Sequence, residues 1–258
     1  MTAPDSSPRS LPFSSFSTPR DLWWHRLPRS NYLPPIYACL SDEEWRVLSD
    51  WFEATTRENL VGECGVPLMS LLHGLVMGNG IQRIVQLGTA AGYSALLLGF
   101  FLRQMAAERA LFTLEIDERL ANFAREWVHC AQLDRVVHVE LRSSLDPESV
   151  DLARDYLGGA PELIFVDSSH EYRQTVKELA AWYPALAPGG FMLLHDTSEF
   201  AAGFDVTREG GVRRAFREWR QAHQEAEAFS FSPQVAAQEA PGMIYQDFCG
   251  AGLIQKPL

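Results

Sequence analysis

Ile84-Val85-Gln86-Leu87-Gly88-Thr89-Ala90-Ala91-Gly92-Tyr93-Ser94 decides how this chain folds. An apolar strand pattern runs into two glycines spaced GxxxG, and a helical pattern starts at once after them. Glycine lets the backbone turn sharply and lets a ligand approach it closely. A second apolar run, Leu111 to Ile116, ends on Glu115 and Asp117 about one βα unit later. A carboxylate in that position can accept hydrogen bonds from a ribose diol. Turn and carboxylate together predict an adenosine-containing cofactor. The spacing is not the GxGxxG of a dinucleotide fold, whose extra close approach a pyrophosphate needs, so a ligand without phosphates is expected. The simpler alternative is that the glycines only shape the strand-to-helix turn.

The same alternation continues outward. Strands are expected at Arg83–Leu87, Leu111–Ile116, Val136–Leu141, Leu163–Val166 and Phe191–Leu194. Helices are expected at Tyr93–Arg109, Glu118–Ala131, Pro147–Tyr156, Tyr172–Leu186 and Val212–Glu227, and two last strands at Ala228–Phe231 and Gly252–Gln255. Such alternation implies an α/β fold with a doubly wound, mostly parallel sheet of seven strands covered on both faces. Ahead of it, Ser41 followed by Asp42-Glu43-Glu44 reads as a helix N-cap for a helix over 42–55, and a second helix is expected over Pro67–Met77. The chain thus divides into a tail (1–20), an N-terminal arm with helices (21–80) and the main domain (81–258). The tail holds six Ser and four Pro and is too polar to offset its ordering entropy. The arm carries Trp23, Trp24, Tyr32 and Tyr37 and should lie on its own domain, a partner subunit or a substrate.

With 258 residues and 47% hydrophobic content the chain can bury a full core. Its net charge of -11 makes nucleic acid a poor partner. Arg213, Arg214, Arg217 and Arg220 share a predicted helix and read as a solvated face. Cys39, Cys64, Cys130 and Cys249 show no CxxC spacing, which argues against a zinc site or a disulfide framework and suits a reducing cytoplasm. The N-terminus lacks the apolar core of a secretory signal, and no apolar run reaches membrane-spanning length, so no membrane partner is expected.

In an open parallel sheet, ligands bind at the carboxyl ends of the strands, near the reversal in strand order. Here those ends carry Gly88 to Gly92, Glu115 and Asp117, Ser143 and Ser144, Asp167 to His170, and His195 to Thr197. Polar or glycine residues recur at five successive strand ends, and that shared register is the signal.

The ordered segments VQLGTAAGYSA, TLEIDER, LRSSL, IFVDSSHEY and LAPGGFMLLHDTS resemble class I S-adenosylmethionine-dependent methyltransferases. More narrowly they resemble the catechol-type, macrocin O-methyltransferase and cephalosporin-hydroxylase group, over roughly residues 65–200. The resemblance implies a Rossmann-like methyltransferase fold, closed by an antiparallel pair of strands. It implies S-adenosylmethionine bound by Gln86, Gly88, Thr89, Ala90, Gly92, Tyr93, Ser94, Glu115, Ile116, Ser143, Ser144 and Asp167, with Glu115 on the ribose and the two serines beside the adenine. Gln86 departs from the acid that many members carry there. The resemblance also implies a divalent ion, Mg or Mn, held by Asp167 and Asp196. Thr197 stands where a ligating Asn would be, and His195 where the cephalosporin-hydroxylase group has an acid; an imidazole favours Mn, Fe or Zn over Mg.

Methyl transfer is an in-line displacement in which the protein positions the nucleophile and removes its proton. His170 is the expected base, with His195 the alternative as base or ligand and Asp167 beside them. Aromatics and one methionine, at Trp23, Trp24, Tyr32, Phe200, Phe204, Met243, Tyr245 and Phe248, grouped in the arm and in the 197–210 and 232–250 loops, suggest an apolar or ring-shaped small-molecule acceptor. The expected function is therefore O-methylation of a small-molecule hydroxyl by a cytoplasmic enzyme acting as a homodimer. The alternatives are an NAD(P)-dependent oxidoreductase, disfavoured by the glycine spacing, and a non-catalytic protein that kept the fold, for which Gln86 and Thr197 are the best evidence.

Overall fold

A computed structural model describes residues 33–60, 62–231 and 247–258. Trp23, Trp24, Tyr32, Met243 and Tyr245 lie outside the described residues. Helices α1 (Pro35–Ala38), α2 (Asp42–Arg57) and α3 (Val66–Asn79) precede the alternating unit. That unit runs β1 (Ile84–Leu87), α4 (Tyr93–Gln104), β2 (Leu111–Glu115), α5 (Glu118–Cys130), β3 (Val137–Leu141), α6 (Ser149–Leu157), β4 (Leu163–Val166), α7 (Tyr172–Trp182) and β5 (Phe191–His195). A short 3-10 turn at Ala201–Phe204, α8 (Gly211–Ala222), β6 (Glu227–Phe231) and β7 (Ala251–Gln255) follow.

The strand order is β3-β2-β1-β4-β5-β7-β6. The first five are parallel, and β7 is antiparallel to both β5 and β6. The chain leaves β1 to one side for β2 and β3, then returns to the other side for β4 and β5. The reversal therefore falls between β1 and β4, where Leu87 pairs with Val166. Leu87 also pairs with Leu114, and Val166 with Leu194. This register brings Gly88, Glu115, Asp167 and His195 to one edge of the sheet.

Each face of the sheet has its own core. On one, Leu48, Trp51, Phe52, Leu68 and Leu72 of α2 and α3 pack with Leu96, Phe100 and Phe101 of α4. Every residue of α4 from Tyr93 to Leu102 is buried, which suits a helix that is apolar all round. On the other face, Leu179 and Trp182 of α7 pack with Phe216 and Trp219 of α8 against Ile164, Met192 and Ile254. The N-cap expected at Ser41 is a full capping box: Ser41 Oγ accepts from the Glu44 amide and Glu44 accepts from the Ser41 amide. The arm residues from Leu33 onward lie on their own domain, with Ile36 and Tyr37 buried in α1.

Helix ends differ from expectation for identifiable reasons. α4 stops at Gln104, short of Arg109, because Ala106 and Arg109 turn into the left-handed region at φ 55° and 49°. Arg109 there donates to the carbonyls of Tyr156 and Asp155. α7 stops at Trp182, not Leu186: Pro184 has no amide hydrogen to continue the helical ladder, and Lys256 Nζ gathers the carbonyls of Tyr183, Pro184 and Leu186. α8 stops at Ala222, not Glu227, where the His223 ring stacks on Trp219 at 4.3 Å. No helix among the described residues is long and apolar enough to cross a membrane.

Candidate active site

The glycine turn after β1 is built around close backbone contact. Gly88 lies at φ +90°, and a Cβ on it would stand 2.1 Å from the Asp167 carbonyl oxygen, so only glycine lets the ends of β1 and β4 approach this closely. Glu115 holds the turn from β2. Its Oε2 accepts from the amides of Thr89 and Ala90 at 3.2 and 2.7 Å, and its Oε1 accepts from those of Ile116 and Asp117 at 2.9 and 3.0 Å. Thr89 is tied to Thr113 through their hydroxyls, 2.6 Å apart. Asp117 caps α5 through the Leu120 amide. The buried Gln86 turns its amide nitrogen to the Gly88 carbonyl (2.6 Å) and to Ser94 Oγ (2.8 Å), while its Oε1 has no partner among the described residues. An orphaned buried acceptor is costly unless something arrives to satisfy it.

The N-terminal helices reach the same turn. Trp51 Nε1 donates to the Ala91 carbonyl at 2.8 Å, and the hydroxyls of Tyr37 and Tyr93 meet at 2.6 Å. Beside β3 and β4, the fully buried Glu178 of α7 accepts from Ser144, Ser168 and Gln174. Burial pushes its pKa up, against the pull of these donors. Ser143 accepts from the Leu145 amide, and Ser169 from the Glu171 amide.

Beyond Asp167 the site turns acidic. His170 Nδ1 lies 2.8 Å from Asp196 Oδ2, and this hydrogen bond raises the His170 pKa above its ordinary value against the effect of partial burial. Asp196 sits in the left-handed region at φ +62°, and both it and Thr197 are buried. Burial works against ionisation of Asp196, yet the imidazoles of His195 and His170 hold its carboxyl below the usual range. His195 is enclosed: Nδ1 is 3.2 Å from Asp167 Oδ1 and 3.7 Å from Asp196 Oδ1, and Nε2 is 3.3 Å from Asp247 Oδ2. Burial opposes its protonation, but Asp196, Asp247 and Asp167 outweigh that and raise its pKa well above the ordinary value. With both ring nitrogens facing carboxylates, His195 is placed to pair charge, whereas His170 keeps its Nε2 for other work.

Three adjoining cavities follow the strand ends. The first, about 290 Å³, is lined by Trp51, Glu63, Cys64, Gly88, Ser94 and Asp167 among others. The second, about 300 Å³, is lined by Glu115, Ile116, Ser143, Ser144, Ser168 and Gln174. The third, about 460 Å³, has Phe200, Phe204 and Phe248 as walls and His170, Asp196 and Asp247 as its polar end. Gly88 and Ser168 line the first two, and Asp167 and His170 line the first and third. Sharing these residues, they lie side by side along the strand ends.

Ligand atoms of Asp167, His195 and Asp196 lie within 4.8 Å of one another, as do those of His195, Asp247 and Cys249. The first group unites three of the four residues expected to hold a metal. Glu63, Gln174, Glu178, Asp247 and Cys249 were not expected in the site. Asp247 and Cys249 come there because β7 runs antiparallel to β5, which pairs Ala251 with His195 and sets the entry to β7 beside the exit from β5. The antiparallel pair expected at the end of the chain was the signal that could have found them.

Residues 85–197 match the family model described as a methyltransferase domain. The match spans the alternating unit from β1 to the residues just after β5. Solved structures share its fold. An O-methyltransferase from Bacillus cereus in complex with SAH is 20% identical, with 84% of this chain and 92% of that chain covered at a TM-score of 0.64. The O-methyltransferase TomG from Streptomyces achromogenes, involved in tomaymycin synthesis and solved with SAM, is 20% identical over 82% and 90% of the two chains, at 0.62. An SAH-bound methyltransferase from Podospora anserina is 19% identical over 85% and 89%, at 0.57. At these identities the likeness establishes the Rossmann-like methyltransferase fold. No curated protein matches the sequence.

Proposed function

We propose that this methyltransferase moves a methyl group from S-adenosylmethionine to a hydroxyl of an apolar, ring-bearing small molecule. The observation that carries this reading is the meeting of the three cavities at Asp167, Ser168 and His170. The cavity along Glu115, Ile116 and Ser144 takes the adenosine, the one along Gly88 and Ser94 takes the methionine end, and the aromatic-walled one takes the acceptor. The cofactor fits the residues present. Gln86 Oε1 is a buried acceptor awaiting a donor, and the Gly88 turn exposes backbone where a side chain would intrude. Glu115 meets the ribose with a carboxylate already anchored by four amides.

When bound, S-adenosylmethionine supplies an electrophilic methyl carbon on a sulfonium. The chain's own part is to hold the acceptor hydroxyl in line and to take its proton. His170 Nε2 is the receiving atom, and Asp196, bonded to Nδ1, orients the ring and stabilises the imidazolium that forms. Phe200, Phe204 and Phe248 keep the acceptor's ring dry.

A second reading, assistance by a divalent ion, is favoured by the grouping of Asp167, His195 and Asp196. Two carboxylates and an imidazole suit Mn, Fe or Zn better than Mg, and such an ion would acidify the acceptor hydroxyl.

Calorimetric titration with S-adenosylmethionine, S-adenosylhomocysteine and NADH tests the cofactor. The two adenosyl ligands should bind and NADH should not; binding of NADH alone would overturn the reading. Turnover that survives chelator favours His170 acting as a base without metal, and loss of turnover restored by Mn²⁺ favours the ion.

A further inference from the structure

We propose that Glu63, on the loop between α2 and α3, is the counter-ion for the ammonium group at the methionine end of the cofactor. This inference rests on the cofactor proposed above and adds a recognition residue to it. A methionine end is a zwitterion beside a sulfonium, so its pocket must offer donors for a carboxylate and negative charge for an ammonium and a sulfonium. The donors are at hand: the cavity is lined by Tyr93 and Ser94, the first residues of α4, a helix start with no side-chain cap whose amides and positive end favour an anion.

The negative charge is harder to find. Gln86, behind the turn, is neutral, and both of its amide bonds point inward to Gly88 and Ser94. Glu115 belongs to the neighbouring cavity and uses both oxygens on backbone amides. Among the described residues, two carboxylates line this cavity, Glu63 and Asp167. Asp167 faces His195 through its Oδ1 and sits at the boundary with the acceptor cavity. Glu63 lines it from the loop ahead of α3, beside Leu60, Gly62 and Cys64, with Trp51 and Tyr93 in the same lining, and its Oε2 accepts from the neighbouring Gly62 amide at 3.1 Å. Its charge already reaches the floor of the pocket, where it adds to burial and the Tyr37 hydroxyl in raising the pKa of Tyr93. The ligand's carboxylate would then meet the start of α4 and its ammonium the 62–65 loop, so that the two charged ends of the zwitterion are read by different segments of the same lining. An ammonium–carboxylate hydrogen bond in a partly dry pocket is among the stronger polar contacts available.

The test compares two ligands that share the adenosine portion. S-adenosylhomocysteine carries the amino-acid end, and 5′-methylthioadenosine lacks it. In the full-length protein, Glu63→Gln should weaken S-adenosylhomocysteine about tenfold to a hundredfold, the range expected for a lost charge-assisted bond. Affinity for 5′-methylthioadenosine and the melting temperature of the free protein should stay at wild-type values. Unchanged S-adenosylhomocysteine affinity overturns the proposal. Equal weakening of both ligands also overturns it, because Glu63 would then act by shaping the loop. If the wild-type protein binds neither ligand, the cofactor reading falls and this inference with it; if it binds both and Glu63→Gln changes neither, only this inference falls.

Discussion

Replacing Gly88 by alanine places a Cβ atom 2.1 Å from the carbonyl oxygen of Asp167 and 2.6 Å from Cα of Ser168. Both neighbours are backbone, so neither can swing aside as a side chain would. Two costs add. The φ of +90° costs an L-residue about 1–2 kcal/mol. Forcing the ends of β1 and β4 apart costs about a further 1–3 kcal/mol, as for other overpacked sites. The sum, about 2–5 kcal/mol, is a large share of the stability of an ordinary domain. Two other glycines separate the terms. Gly158, at φ +71°, has nothing within 4 Å of the point a Cβ would occupy and should lose only the conformational term, about 1 kcal/mol. Gly92, at φ +94°, would meet Ala124 Cβ at 3.2 Å and should fall between the two. Urea unfolding of the three alanine variants reads the order directly. Titration with S-adenosylhomocysteine should show Gly88→Ala weakened most, since the displaced residues are those where the three cavities meet. A Gly88→Ala protein no less stable than Gly158→Ala would refute the close contact between the β1 and β4 ends.

Other perturbations separate the remaining roles. Glu115→Ala should weaken S-adenosylhomocysteine binding sharply in calorimetry, while Asp196→Ala should spare it; equal losses would contradict the division between cofactor and acceptor halves. His170→Gln should lower kcat by about a hundredfold or more, the usual contribution of a general base, with cofactor affinity retained in the same titration. Asp205 accepts from the Thr207 hydroxyl and from the amides of Thr207, Glu209 and Gly211. Burial opposes its ionisation, but these donors lower its pKa to about 2. Its contribution to stability is thus present above the ordinary carboxylate value of 3.8 and lost as pH falls toward about 2. Asp205→Asn should flatten that part of a denaturation-versus-pH curve.

The strand ends were legible because strand register is a local property: an apolar run followed by a glycine, a carboxylate or a serine marks the active edge wherever it falls. That is why Gly88, Glu115, Ser144, Asp167 and His170 could be read from the sequence as neighbours. Helix ends were less legible, since Lys256, far along the chain, helps to end α7 through three carbonyls. The residues that complete the cleft were the least legible. Glu178 sits two turns inside an amphipathic helix, and nothing local marks it as the acceptor for Ser144 and Ser168. Asp247 and Cys249 precede a strand whose direction alone brings them to His195. The electrostatic character of His195, which the sequence leaves open between ligand and base, depends on Asp247 and so could not be judged from β5 alone.

The clamp of α1 and α2 on the glycine turn has a consequence for how the protein responds to its ligand. Trp51 bonds the turn at Ala91 and Tyr37 bonds Tyr93 just after it, so anything that steadies Ala91 and Tyr93 also steadies the helices behind them. Such coupling is reciprocal. Occupancy of the cleft should slow amide exchange in the N-terminal helices as a remote signature, and loosening those helices should return as a weaker grip at the turn.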